Sequence, residues 1–144
     1  MNSTFFHLAF SHFPIIVPFV GIMLLAFGLF LKNNILQKAG LVTFVVCALL
    51  AIPVYLTGEE AGNTIRNLPG ISDDTINRHE ELAEKAIWFI EVLGALSLMS
   101  LVIAFKDRKF RIACLVILTI AVISFVMIVL VGHTGGRIRH TELL

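Results

Sequence analysis

Four apolar runs, at 13–31, 39–57, 86–105 and 112–131, constrain this chain more than any other feature. Each supplies about 20 residues, the length a helix needs to cross the hydrocarbon of a bilayer. A single charge, Glu91, interrupts them. Lipid offers no partner to backbone N–H and C=O groups, so a spanning segment must be a helix or part of a closed barrel. Barrel strands need alternating segments of about ten residues, whereas leucine, glycine and β-branched residues are mixed here without alternation. The expected fold is all-α, an integral membrane four-helix bundle forming one domain over residues 1–144. Its spans are expected at about 13–31, 39–57, 81–105 and 110–132, with a long loop at 58–80.

Lysine and arginine set the expected orientation. The two short connections, near 32–38 and 106–111, hold Lys32, Lys38, Lys106, Arg108, Lys109 and Arg111 against Asp107 alone. The other side keeps Arg66, Arg78, Lys85, Arg137 and Arg139 against the remaining nine of the ten acids. Basic residues favour the cytoplasmic side, which places both termini and the 58–80 loop outside, in the periplasm of a bacterial inner membrane. No basic run precedes the first span and no small-residue cleavage site follows it, so that span is expected to be retained. A net charge of +1 gives no case for nucleic acid binding. Cys47 and Cys114 lie inside apolar runs, match no metal spacing and are read as packing residues. P-loop, dinucleotide and serine-nucleophile motifs are absent, no internal repeat is evident, and no cleft for a glycosidase carboxylate pair can be inferred.

The stretch from Ser72 to Glu91 links the polar and apolar parts. Ser72, Asp73 and Asp74 carry helix-capping oxygens, and the helix they start is expected to run unbroken past His79 and Glu91 to Phe105. At helical spacing Glu80, Glu84 and Glu91 fall within about 40° of one another, with His79 on a neighbouring stripe. A carboxylate inside an apolar span is costly and marks function. Glu91 is expected to face the bundle interior, bonded to a neighbouring helix or to water, with a carboxylate snorkelling to the interface as the alternative. Trp88 is a candidate interfacial anchor.

Elsewhere, Pro14 suits a first helical turn and Pro18 should bend the first span. Gly21 and Gly28 share a face that admits either a close helix or a flat ligand. The second helix is expected to stop at Thr57–Gly58, leaving Glu59 and Glu60 at its unfavourable C-terminal end. A short surface helix is expected in the loop before the third span begins. Gly132, Gly135 and Gly136 around His133 read as a sharp turn or a close approach to a ligand.

All five histidines, His7, His12, His79, His133 and His140, map to the expected outer end of the bundle. Side chains converging from several helices are how bundles build cofactor and metal sites. Two chemistries fit. Haem b takes two imidazoles across a flat apolar slot, and His12, His79 and His133 are the leading candidates for that pair. A non-haem iron, copper or zinc ion takes three or four converging donors, for which His12, Glu59, His79, Glu80 and His133 are available. In the haem case Glu84 and Glu91 would orient imidazoles and Arg137 or Arg139 would pair with propionates. A third reading is a structural or assembly subunit whose acidic, histidine-bearing outer face docks a larger complex.

HLAFSHFPI near the start, TGEEA after the second span, HEELAE before the third and GHTGGRIRH after the fourth together resemble a bacterial family of small four-helix membrane proteins. That family is catalogued as a domain of unknown function. His7, His12 and the following Phe-Pro-Ile, then His79, then Gly132 to Gly136 match its motifs, while Leu8 departs from the proline common after the first histidine. The resemblance covers nearly the whole chain. Relatives fused to c-type cytochrome or Rieske modules imply a place in respiratory electron transfer. The resulting expectation is a carrier of electrons rather than a stand-alone enzyme, with the lipid bilayer and a c-type cytochrome or respiratory complex as partners. A homo-oligomer is left open.

Overall fold

The computed structural model describes residues 3–66, 68–103 and 107–139. Those residues form five helices and no strand: α1 Ser3–Phe10, α2 Phe13–Phe30, α3 Asn34–Ile65, α4 Asp73–Val102 and α5 Asp107–Arg139. Four helical stretches are long and apolar enough to cross a membrane, namely His7–Phe30, Asn34–Ile65, Asp73–Val102 and Arg108–Ile138. α2, α3, α4 and α5 pack in a ring, each against the next and α5 against α2, while α1 lies on α3.

The α2–α3 turn is shorter than the 32–38 connection expected to form it, because its backbone groups are satisfied within three residues. Lys32 takes a left-handed conformation (φ 53°), and the N–H of Asn33 returns to Gly28 O at 2.8 Å. Asn33 then caps α3, its Oδ1 accepting from the N–H groups of Ile35 and Leu36. Gly21 and Gly28 are packing glycines. A Cβ on Gly21 would lie 2.5 Å from Phe44, and one on Gly28 would lie 2.6 Å from the Gln37 backbone, so both admit α3 rather than a ligand. Gly94 does the same for α4, against Ala48 of α3.

The helices outrun the expected spans. α3 does not stop at Gly58 but continues to Ile65, and among the described residues no separate surface helix lies between α3 and α4. The added turns bury Ala61, and Gly62 lies against Ile76 of α4. They end where Arg66 pairs with Glu80 at 2.9 Å and Asp73 at 3.5 Å. At 32 residues α3 is about 48 Å long, against a hydrocarbon core of about 30 Å. With the tight α2–α3 turn at the other end, the surplus of α3 projects on the side of the histidines. Ser72 is the N-cap of α4 but makes no side-chain cap bond, and Asp73 and Asp74 occupy the first turn. α4 ends at Val102 rather than Phe105, and Phe105 and Lys106 lie outside the described residues. The glycine-rich segment after Val131 is helix rather than turn.

Two apolar clusters fill the bundle. One, built on Leu25, Leu41, Phe44, Leu93 and Ile117, is made of large side chains and includes Cys114. The other, toward the histidines, includes Cys47 and is built largely on alanines: Ala48, Ala51 and Ala86 with Ile90 and Ile128. Both cysteines are buried and free. Small residues cannot fill the space between four helices, and a cavity opens above the second cluster.

Candidate functional site

The cavity measures about 850 Å³ and is floored by Ala51, Ala86, Ile90 and Ile128. That volume is of the order of small-molecule and cofactor pockets, roughly 300–1,000 Å³. Three histidines line it, His7 of α1, His12 at the α1–α2 junction and His79 of α4. A second, smaller and mainly apolar cavity of about 420 Å³ lies against it, also lined by His7, His79 and Glu80 and reaching Leu68, Pro69 and Gly70. His7 and His79 therefore stand between the two.

Both imidazoles are seated in the same way. Nδ1 of His7 lies 2.8 Å from Val54 O on α3. Nδ1 of His79 lies 3.1 Å from Val131 O on α5 and 3.1 Å from Thr134 Oγ1. A carbonyl oxygen can only accept, so each Nδ1 carries the proton and donates it, leaving the lone pair on Nε2. Each valine carbonyl is also taken by the hydroxyl three residues on, Thr57 Oγ1 to Val54 O at 3.1 Å and Thr134 Oγ1 to Val131 O at 2.9 Å. Thr57 also donates to Pro53 O at 2.9 Å. Each threonine is followed by a glycine against which the ring rests. A Cβ on Gly58 would lie 3.2 Å from His7 Cε1, and one on Gly135 would lie 3.1 Å from His79 Cε1. Val54-Tyr-Leu-Thr57-Gly58 and Val131-Gly-His-Thr134-Gly135 are thus two copies of one imidazole cradle, Val-x-x-Thr-Gly, on the second helix of each half of the bundle. This is the internal repeat that the sequence does not disclose. The valine carbonyls, both threonines, Gly58 and Gly135 are site residues that histidine spacing alone misses.

The other candidates fall as follows. His12 lines the cavity but is exposed, and as N-cap of α2 makes no side-chain cap bond. His133 is on α5 at the same end, exposed and outside the cavity lining; its neighbours Gly132, Gly135 and Gly136 line the cavity instead. His140 lies outside the described residues, as does the side chain of Arg139. Glu59, Glu80 and Glu84 all line the cavity. Glu80 is held by Arg66 at 2.9 Å, and Glu59 and Glu84 are exposed. Arg137 is half-buried on α5 and lines neither cavity. Glu91 lies below the cavity without lining it, one turn before the Gly94–Ala48 contact. Its Oε1 is buried and has no partner among the described residues, so the bond expected to a neighbouring helix is not made.

Among the described residues no three His, Cys, Asp or Glu side chains converge as a metal-binding group. Comparison of the chain with protein-family models, with curated proteins and with solved structures finds no match. The class defined by fold and site is an all-helical protein with four helices able to cross a membrane and a cavity at one end lined by two imidazoles, each held through Nδ1 by a helix carbonyl.

Proposed function

We propose that the chain is a membrane-bound electron-transfer protein that holds haem b between His7 and His79 on the periplasmic side of a bacterial inner membrane. The observation that carries this reading is the duplicated cradle. Two imidazoles fixed in the tautomer that frees Nε2, each by a backbone carbonyl, match what bis-histidine haem ligation asks of a protein. A protein-held zinc or iron ion asks for three or four donors. The apolar floor of Ala51, Ile90 and Ile128 suits a porphyrin face. When bound, the haem supplies reversible one-electron chemistry. The chain's own part is to hold the rings, keep bulk water from the cavity floor and present the site at the outer membrane boundary.

The crowding of Lys32, Lys38, Lys106, Arg108, Lys109 and Arg111 at the opposite end supports the periplasmic orientation. The motif resemblance favours a c-type cytochrome or respiratory complex as the electron partner. A reduced-minus-oxidised absorbance spectrum of the purified protein tests the reading. A b-type band at about one haem per chain is expected, whereas a protein that stays colourless after incubation with haemin would overturn it.

A further inference from the structure

The larger cavity also reaches the side of the bundle. Tyr55 and Leu56 of α3 and Glu84 and Ile87 of α4 line it, yet Tyr55 is 41% and Leu56 69% exposed, and Glu84 is exposed as well. Exposed residues of two adjacent helices thus line the cavity, and we read them as a lateral opening between α3 and α4. The surface around it is apolar, with Leu49, Ile52, Trp88 and Val92 all exposed. Counting about 20 residues up from the α2–α3 turn places Tyr55 at the outer edge of the hydrocarbon. The opening therefore meets lipid below and water above, as the binding site of a bilayer-borne amphiphile must.

Charge and hydrogen-bonding capacity narrow the occupant. Glu59, Glu80, Glu81 and Glu84 line the cavity, and a wall of carboxylates repels the anionic head of a phospholipid. Glu80 and Glu81 are engaged by Arg66 and Lys85. Glu84 has no hydrogen bond or ion pair among the described residues and is free to accept one from a neutral hydroxyl. Tyr55 offers a phenol that donates or accepts. We propose that this lateral opening binds a membrane quinol, its ring between Tyr55 and Glu84 and its tail in the bilayer.

The role of that quinol as electron donor rests on the haem reading above; the binding site does not. Its oxidation to quinone releases two electrons and two protons. His7 and His79 would hold the haem, which would supply a one-electron acceptor for these electrons in turn, and a one-electron oxidant on the outer face would be their destination. The Glu84 carboxylate takes the proton of the hydroxyl it accepts from, and the second proton leaves to water through the cavity mouth.

Trp88, the only tryptophan in the chain, stands one helical turn from Glu84 and reports binding without any cofactor. Decylubiquinone titrated into the purified protein in lipid nanodiscs should quench Trp88 fluorescence saturably. Tyr55→Phe should weaken that binding at least fivefold, because a quinone carbonyl loses its donor. Glu84→Gln should weaken the quinol form and spare the quinone. Quenching that rises linearly with quinone, as simple partitioning gives, or that is indifferent to both substitutions, would overturn the proposal. A colourless protein that still binds quinone saturably defeats the haem reading alone, and a b-type protein without saturable quenching defeats this one alone.

Discussion

Replacing Gly135 by alanine sets two effects of similar size against each other. In mid-helix the substitution gains about 1 kcal/mol of helix propensity. Its Cβ would lie 3.1 Å from His79 Cε1 and 3.4 Å from Nδ1, tighter than ordinary contact, so the ring must move. The Nδ1–H bond to Val131 O is already 3.1 Å long, and displacement gives up most of its contribution, about 1 kcal/mol. Gly136→Ala is the matched control, since a Cβ there meets nothing within 4 Å. Gly136→Ala should therefore gain about 1 kcal/mol and Gly135→Ala about nothing. At about 150 residues that difference is roughly 3 °C in melting temperature. Loosening a bond that orients a ligating imidazole typically lowers affinity by about 10–100-fold. Haemin titration should accordingly find Gly135→Ala weakened about tenfold and Gly136→Ala within about twofold of the parent. Equal stabilisation of the two variants with unchanged haem affinity would refute the idea that His79 is seated against Gly135.

Other outcomes follow from the same packing. Glu91→Leu removes a carboxyl oxygen that is buried without a partner, and should stabilise the protein by about 1–3 kcal/mol in thermal melts; a loss of stability would mean that Glu91 has a partner in the membrane. Glu91→Gln should leave the haem spectrum unchanged, because Glu91 does not line the cavity, and a shifted spectrum would restore it to the site. A cysteine introduced at Asn63 should react with an impermeant maleimide added outside intact cells, and one at Asn34 should not. The reverse labelling pattern would place the cavity in the cytoplasm.

The four apolar helices and the placement of His7, His12, His79 and His133 at one end were legible because both depend on features that sequence displays directly, run length and residue type. What stayed hidden depends on contacts. Gly58 followed by two glutamates reads as a helix end, but Ala61 is buried, Gly62 packs on Ile76 and Arg66 finds Glu80, and these contacts carry α3 to Ile65. Gly132 to Gly136 reads as a turn because glycine disfavours helix interiors, yet at Gly135 the missing side chain is replaced by the ring of His79. His133 drew attention as the histidine inside that motif, whereas the groups facing the cavity are the glycines around it. The Val-x-x-Thr-Gly repeat spans five residues with three fixed, too short to stand out until Val54 and Val131 are both seen to accept from an imidazole.

On the proposed function His7 and His79, rather than the other histidines, hold the cofactor. Haem content and the reduced b-type band, measured side by side in His7→Ala, His79→Ala, His12→Ala and His133→Ala, distinguish the two pairs. The band should vanish or turn five-coordinate in the first two and persist, at about one haem per chain, in the last two. A normal six-coordinate band surviving the loss of either His7 or His79, or one abolished by the loss of His133, would contradict it.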